Sequence, residues 1–230
     1  MDDPSETLPF LYWNRVPPLS LNALALGSAL IFFSSLAWLG NPFLFALASA
    51  GSAWMGCKLS GYSPLRALGL TRWQFKSCVL TPFLAYAIIL PGVLLASLIS
   101  ETICRKLGIH WEPQAILKDF LMLKNKREIL QFVLLAVVVA PLAEEILFRG
   151  FLYPYLKSIW PQWVALLFTA FLFALVHQHL PVFLPLMWLG IVLALLYEKT
   201  GSLWSTITLH ALFNSLTLIV ALNYPELVAR

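Results

Sequence analysis

The sequence predicts an all-α, polytopic integral membrane protein with about seven to eight transmembrane helices. Hydrophobic residues make up 60% of its 230 positions and charged residues only 11%, where a soluble domain averages about 25% charged. Mean hydropathy is +0.81. Apolar runs recur along nearly the whole chain, long enough to cross about 30 Å of hydrocarbon at roughly 20 residues each. The spacers between them are too short to form a separate soluble domain.

The N-terminal stretch MDDPSETLPFLYWNRVPPLS is acidic and proline-rich. It lacks the basic n-region of a secretory signal peptide, so the first span is expected to be retained. Spans are expected at about residues 20–39, 42–57, 77–99, 128–157, 162–180, 181–197 and 202–222. Gly40, Asn41 and Pro42 form a tight hairpin before the short second span, as breaker residues do. Residues 58–76 carry Lys58, Arg66, Arg72 and Lys76 with no acid, which makes this loop cytoplasmic by the positive-inside rule. Residues 100–127 mix Arg105, Lys106, Lys118, Lys124, Lys126 and Arg127 with Glu101, Glu112 and Asp119. Within them Ile116, Leu117, Phe120, Leu121 and Leu123 recur at helical spacing with lysines between, predicting an interfacial amphipathic helix. The whole is one membrane domain, with N-terminal helices and the amphipathic segment over 1–127 and a helical core over 128–222.

Composition also excludes. Cys57, Cys78 and Cys104 show no C-x-x-C spacing, so neither a disulfide framework nor a cysteine zinc site is expected. The net charge of +4 is small and its lysines and arginines cluster near span ends, where they snorkel or meet anionic headgroups. The bilayer is therefore the expected partner, and nothing calls for nucleic acid.

Between Ile129 and Tyr197 the only ionisable acids and bases besides histidine and tyrosine are Glu144, Glu145, Arg149 and Lys157. Lys157 can anchor a helix end. The other three lie mid-helix, where each charge costs about 2.5 to 3.5 kcal/mol on insertion scales and marks a functional site by default; an ion pair that only holds helices together is the plainer alternative. Glu145 and Arg149 stand four apart on one helical face. Glu144 is turned about 100° away, which leaves it as an available carboxylate. His177 in FLFALVHQHLP and His210 in STITLHALFNSL both fall inside expected spans, with Asn214 one turn after His210. Such groups avoid lipid most cheaply by pointing at each other. A carboxylate, two imidazoles and an amide in one dry cavity have what amide hydrolysis needs, a base for water and donors for an oxyanion. Ser205, Thr206 and Thr208 fit ordinary helix-lining hydroxyls, so no serine or cysteine nucleophile is expected.

Three motifs stand in order on successive helices: EEILFRG from Glu144, FALVH from Phe173 to His177, and HALFN from His210 to Asn214. Together they resemble the CPBP family of CAAX prenyl endopeptidases, bacteriocin-processing and Abi-like self-immunity proteins. The resemblance implies a multi-pass protein of a bacterial plasma membrane, whose helices enclose an intramembrane active-site cavity. It implies an endopeptidase in which Glu144 and His177 activate water, His210 and Asn214 form the oxyanion site, and Glu145 with Arg149 supports the fold. Phe173 then packs behind His177. The implied substrate is a membrane-associated peptide or protein, prenylated or not. Zinc is the one cofactor to weigh, held by Glu144, His177 and His210 as a His₂Glu set; a metal-free site is favoured, because it gives the Asn214 amide a task that a Lewis acid would make less necessary. Two other functions stay open: a non-catalytic scaffold or immunity protein using the same cluster to hold helices, and a proton-coupled transporter, although no inverted repeat is visible.

Overall fold

The computed structural model describes residues 42–59, 63–109 and 114–224. All regular structure among them is helical. The span expected at 20–39 and the Gly40 and Asn41 half of the hairpin lie outside the described residues, whereas Pro42 opens helix α1, Pro42–Leu59, at the one position where its missing N–H costs nothing.

Helix α2, Pro64–Ala67, is a single turn within the basic loop. Gly69 follows it with φ 72°, a conformation that glycine adopts at no steric cost. The loop docks on the start of the last helix: Leu203 N–H donates to Gly69 O at 3.3 Å and Trp204 Nε1 to Leu70 O at 2.8 Å. Helix α3 runs over Lys76–Lys106, its first turn wound as a π-helix at Lys76–Leu80. It turns Phe83, Leu84, Ile88, Leu94, Leu95 and Leu98 outward, an apolar face of the kind that a membrane-spanning helix presents.

Helix α4, Ala115–Met122, is the expected amphipathic segment. Its buried face does more than lie on a membrane surface. Leu117 and Phe120 form a small core with Leu218 and Ala221, and Phe120 stacks on Phe132 at 4.7 Å.

Helix α5, Lys126–Ile159, is 34 residues long. The Asn125 side chain accepts from Arg127 N–H at its start, a standard N-cap. Two π-helical stretches interrupt it, Leu135–Val139 and Ile146–Leu152, with the two glutamates at the end of the α-helical turn between them.

Helix α6, Gln162–Leu175, spans 14 residues, or about 21 Å. The expected span at 162–180 is thus corrected: the helix stops at Leu175, Gln178 takes φ 50°, and a short 3₁₀ turn at Leu180–Val182 leads into α7, Phe183–Thr200. Helix α8, Leu203–Asn223, completes the described chain. Among the described residues four helical stretches are long and apolar enough to cross a bilayer, Lys76–Lys106, Lys126–Ile159, Leu180–Thr200 and Leu203–Asn223, with α6 a shorter apolar helix. The count of seven to eight spans is not confirmed by the described residues, which supply four.

Small residues set the helix spacing, as expected where lipid supplies no hydrophobic drive. A Cβ on Gly190 of α7 would lie 3.0 Å from Ala170 Cα on α6, and one on Gly92 of α3 would overlap the Trp188 indole of α7. One core gathers Ala53, Leu68, Phe151, Tyr153, Tyr197 and Leu203. The other gathers Ile89, Phe148, Phe173, Leu189, Leu193 and Leu209, and the charged cluster lies against this second core.

Candidate active site

Glu145 and Arg149 meet across one turn of α5, with Arg149 Nη1 donating to Glu145 Oε1 at 2.7 Å and both side chains fully buried. The π-helical winding that begins at Ile146 keeps this contact. Arg149 is further held by Gly190 O at 3.2 Å on α7, and its guanidinium lies 4.5 Å over the Phe173 ring of α6. One arginine thereby ties three helices. A guanidinium suits this place because it offers several donors in a plane and stacks on aromatic faces.

The carboxylate of Glu145 does a second thing that its spacing to Arg149 does not disclose. His210 Nδ1 donates to the same Oε1 at 2.9 Å. His210 Nε2, at the other edge of the ring, stands 3.9 Å from Glu144 Oε2. Both glutamates therefore bracket one imidazole that comes from sixty-five residues later in the chain. Glu145 fixes the ring's orientation, and Glu144, 18% exposed, is the less committed of the pair. Among the described residues its Oε2 is buried with no hydrogen-bond partner, as are Glu145 Oε2 and Arg149 Nε.

His177 is corrected in its placement. It lies in the turn after α6 rather than inside a span. Its Nδ1 donates to Phe173 O at 2.7 Å, which leaves Nε2 as the acceptor in the neutral ring. Among the described residues no hydrogen bond or ion pair joins His177 to Glu144. Phe173, fully buried, stands between the two histidines: its centroid is 5.1 Å from the His177 ring and 5.6 Å from the His210 ring. It packs against both imidazoles and the guanidinium, where the sequence reading gave it only His177.

Asn214 has a partner that sequence reasoning missed. Its Nδ2 donates to Ala136 O at 2.8 Å. In the π-helical stretch Ala140 N–H bonds Leu135 O, so the next donor in the same register would be residue 141 and its acceptor Ala136 O. Residue 141 is proline and has no N–H. The amide of Asn214 supplies the missing bond, and among the described residues its second N–H has no hydrogen-bond partner. The signal that could have found this was Pro141 itself, three residues before Glu144.

A further polar link joins α5 to α7 nearer their ends. Lys157 Nζ and Tyr153 Oη both donate to Glu198 Oε1, at 2.6 and 2.7 Å. Lys157 is thus an interhelical partner as well as an end anchor.

The zinc set can be tested against this geometry. Each histidine has Nδ1 committed to an oxygen and Nε2 left over, a habit of metal-bound imidazoles. Yet among the described residues no three of His, Cys, Asp and Glu converge closely enough to hold a metal ion. Glu144, His177 and His210 as arranged do not fit a His₂Glu zinc site, which needs all three within about 2.0 to 2.2 Å of one point.

What the cluster can do chemically follows from its charges. Two carboxylates and one guanidinium sum to a single negative charge, and one further proton on His210 or Glu144 neutralises the group. A buried site with one mobile proton between a carboxylate and an imidazole can take a proton from water and return it.

Residues 126–216, from the start of α5 to within α8, match the family model described as type II CAAX prenyl endopeptidase Rce1-like. No curated protein and no solved structure matches the chain.

Proposed function

Residues 126–216 match the type II CAAX prenyl endopeptidase Rce1-like family model, and from that likeness we propose that the chain hydrolyses a peptide bond of a membrane-associated protein or peptide with a water activated by Glu144. The observation that carries the reading is the bracketing of His210 by Glu145 at 2.9 Å and Glu144 at 3.9 Å inside an apolar bundle. A water oxygen set to one side of that gap can lie about 2.8 Å from both the Glu144 carboxylate and the His210 Nε2.

The proton steps balance as follows. Glu144 Oε2 takes a proton from the water while its oxygen attacks the scissile carbonyl carbon. The oxyanion accepts from His210 Nε2–H and from the second N–H of Asn214, the first being spent on Ala136 O. His210 must be doubly protonated for this, and as imidazolium it cancels the net charge of the two carboxylates and Arg149. Glu144 then delivers its proton to the leaving nitrogen as the C–N bond breaks. His177, with Nε2 unshared, is the second base that can help orient the water, brought in by substrate rather than by a direct bond to Glu144. Phe173 and Arg149 hold the rings in place, and fixed donors of this kind are commonly the largest single contribution to catalysis. No step passes through a metal.

Mass spectrometry of membrane-fraction peptides, from cells holding the wild type or Glu144→Gln at equal level, tests this reading. The expected result is a set of cleavage products seen only with the wild type. Identical peptide profiles would return the cluster to a helix-holding role.

A further inference from the structure

Helix α4 is joined to α5 by only Leu123, Lys124 and Asn125, and it packs across two helices at once. Phe120 lies nearly flat on Phe132 of α5, with ring centroids 4.7 Å apart and 26° between the planes. Together with Leu117 it also closes a small core against Leu218 and Ala221 of α8. Val133, Ala136 and Val137 of α5 pack against the same core. Phe120 is 2% exposed, so this short helix is anchored in the bundle by an aromatic side chain as well as lying at its edge.

These contacts fall on either side of one hydrogen bond. Phe132 stands four residues before Ala136 and Leu218 four residues after Asn214, each about one helical turn away. Asn214 Nδ2 donates to Ala136 O at 2.8 Å, and Ala136 is at once the acceptor of that bond and a wall of the α4 core. Its carbonyl belongs to the π-helical stretch Leu135–Val139, whose i→i+5 winding would draw a donor from residue 141. That residue is Pro141, which has no N–H to give. The direction of the carbonyl is therefore set less by the backbone ladder than by what packs on Ala136, and α4 is what packs there.

We propose that α4 is a clamp that holds the Asn214 amide in place, with Phe120 as a positioning residue for the site. Its catalytic consequence rests on the reading of Asn214 as an oxyanion donor: the amide aims its second N–H only while the first is anchored on Ala136 O. A shift of about 1 Å caused far from the chemistry can cost about 100-fold in rate.

The test uses the full chain in detergent with its asparagines selectively labelled with nitrogen-15. The Asn214 side-chain amide signal is the one missing from Asn214→Ala. Phe120→Ala is expected to shift that signal and to speed hydrogen exchange of its bonded proton about tenfold or more, as the Asn214 bond loosens. Phe120→Leu should restore much of both. Leu156→Ala, a buried truncation near the other end of α5, should leave both at wild-type values. Melting temperature reports folding, and Leu117→Ala serves if Phe120→Ala does not fold. On a peptide cleaved only when Glu144 is present, Phe120→Ala is expected to lower kcat about tenfold or more with KM little changed, and Phe120→Ala/Asn214→Ala to be no slower than Asn214→Ala. An unmoved amide signal in Phe120→Ala, an equal change in Leu156→Ala, or additive losses of kcat would overturn the assignment. Should no peptide depend on Glu144, the hydrolytic reading falls, while the amide signal still decides whether α4 holds Asn214.

Discussion

Arg149 has no exposed surface and holds Glu145, Gly190 O and the Phe173 face at once. Arg149→Ala removes one partner of a buried pair and strands a carboxylate, at a cost of about 3 to 5 kcal/mol. It is expected to lower accumulation and the melting temperature in detergent sharply, whereas Glu144→Gln keeps the side chain's shape and should accumulate normally while losing cleavage. An Arg149→Ala protein of normal level and activity would contradict the pairing. Asn214 allows a sharper test. If its amide serves the carbonyl that Pro141 leaves unserved, Asn214→Ala costs about 1 to 3 kcal/mol, and much of that loss disappears in a Pro141→Ala background, where an N–H returns. Thermal unfolding of the four variants measures this coupling, and a loss of the same size in both backgrounds speaks against it. The Glu145–Arg149 pair was legible in the sequence because a separation of four on one helix is a local fact. The bond from His210 to Glu145 was not, since nothing in either segment says which edge of the imidazole meets which carboxylate.

At the scale of elements, hydropathy located α5, α7 and α8 to within three residues of their ends but stopped α3 seven residues short of Lys106 and overextended α6. Apolarity reports what lipid tolerates, and it is blind to hydrogen-bond register. FLFALVHQHLP is greasy throughout, yet the helix ends at Leu175 and Gln178 takes a left-handed conformation, which carries His177 onto a turn. The π-helical stretches of α5 were equally hidden, apart from Pro141. The approach of α6 to α7 depends on Gly190, whose added Cβ would fall 3.0 Å from the Ala170 backbone. Gly190→Ala is expected to push the two helices apart, costing about 1 to 3 kcal/mol as overpacking does, and to move Phe173 away from the histidines. Reduced cleavage together with a lower melting temperature is the predicted pair of readings. Unchanged values of both would show that the contact is slack.

At the scale of the molecule, the chain is a multi-pass membrane protein whose residues 126–216 match the model of a protease family. The basic loop between α1 and α3 orients it: with Lys58, Arg66, Arg72 and Lys76 and no acid, that loop is expected on the cytoplasmic side. A cysteine placed at Ser63, exposed at the head of α2, should resist membrane-impermeant thiol reagents in intact cells and react in broken ones. Labelling from outside would invert the topology. The central claim is that Glu144 activates water without a metal, and it is tested most directly on purified chain acting on a peptide whose cleavage in membranes depends on Glu144. Cleavage and zinc content are measured together, for wild type and Glu144→Gln, before and after a strong chelator. The account predicts that wild-type cleavage persists after chelation without stoichiometric zinc and that Glu144→Gln is inactive throughout. Cleavage abolished by the chelator and restored by zinc, or an active Glu144→Gln protein, would contradict it.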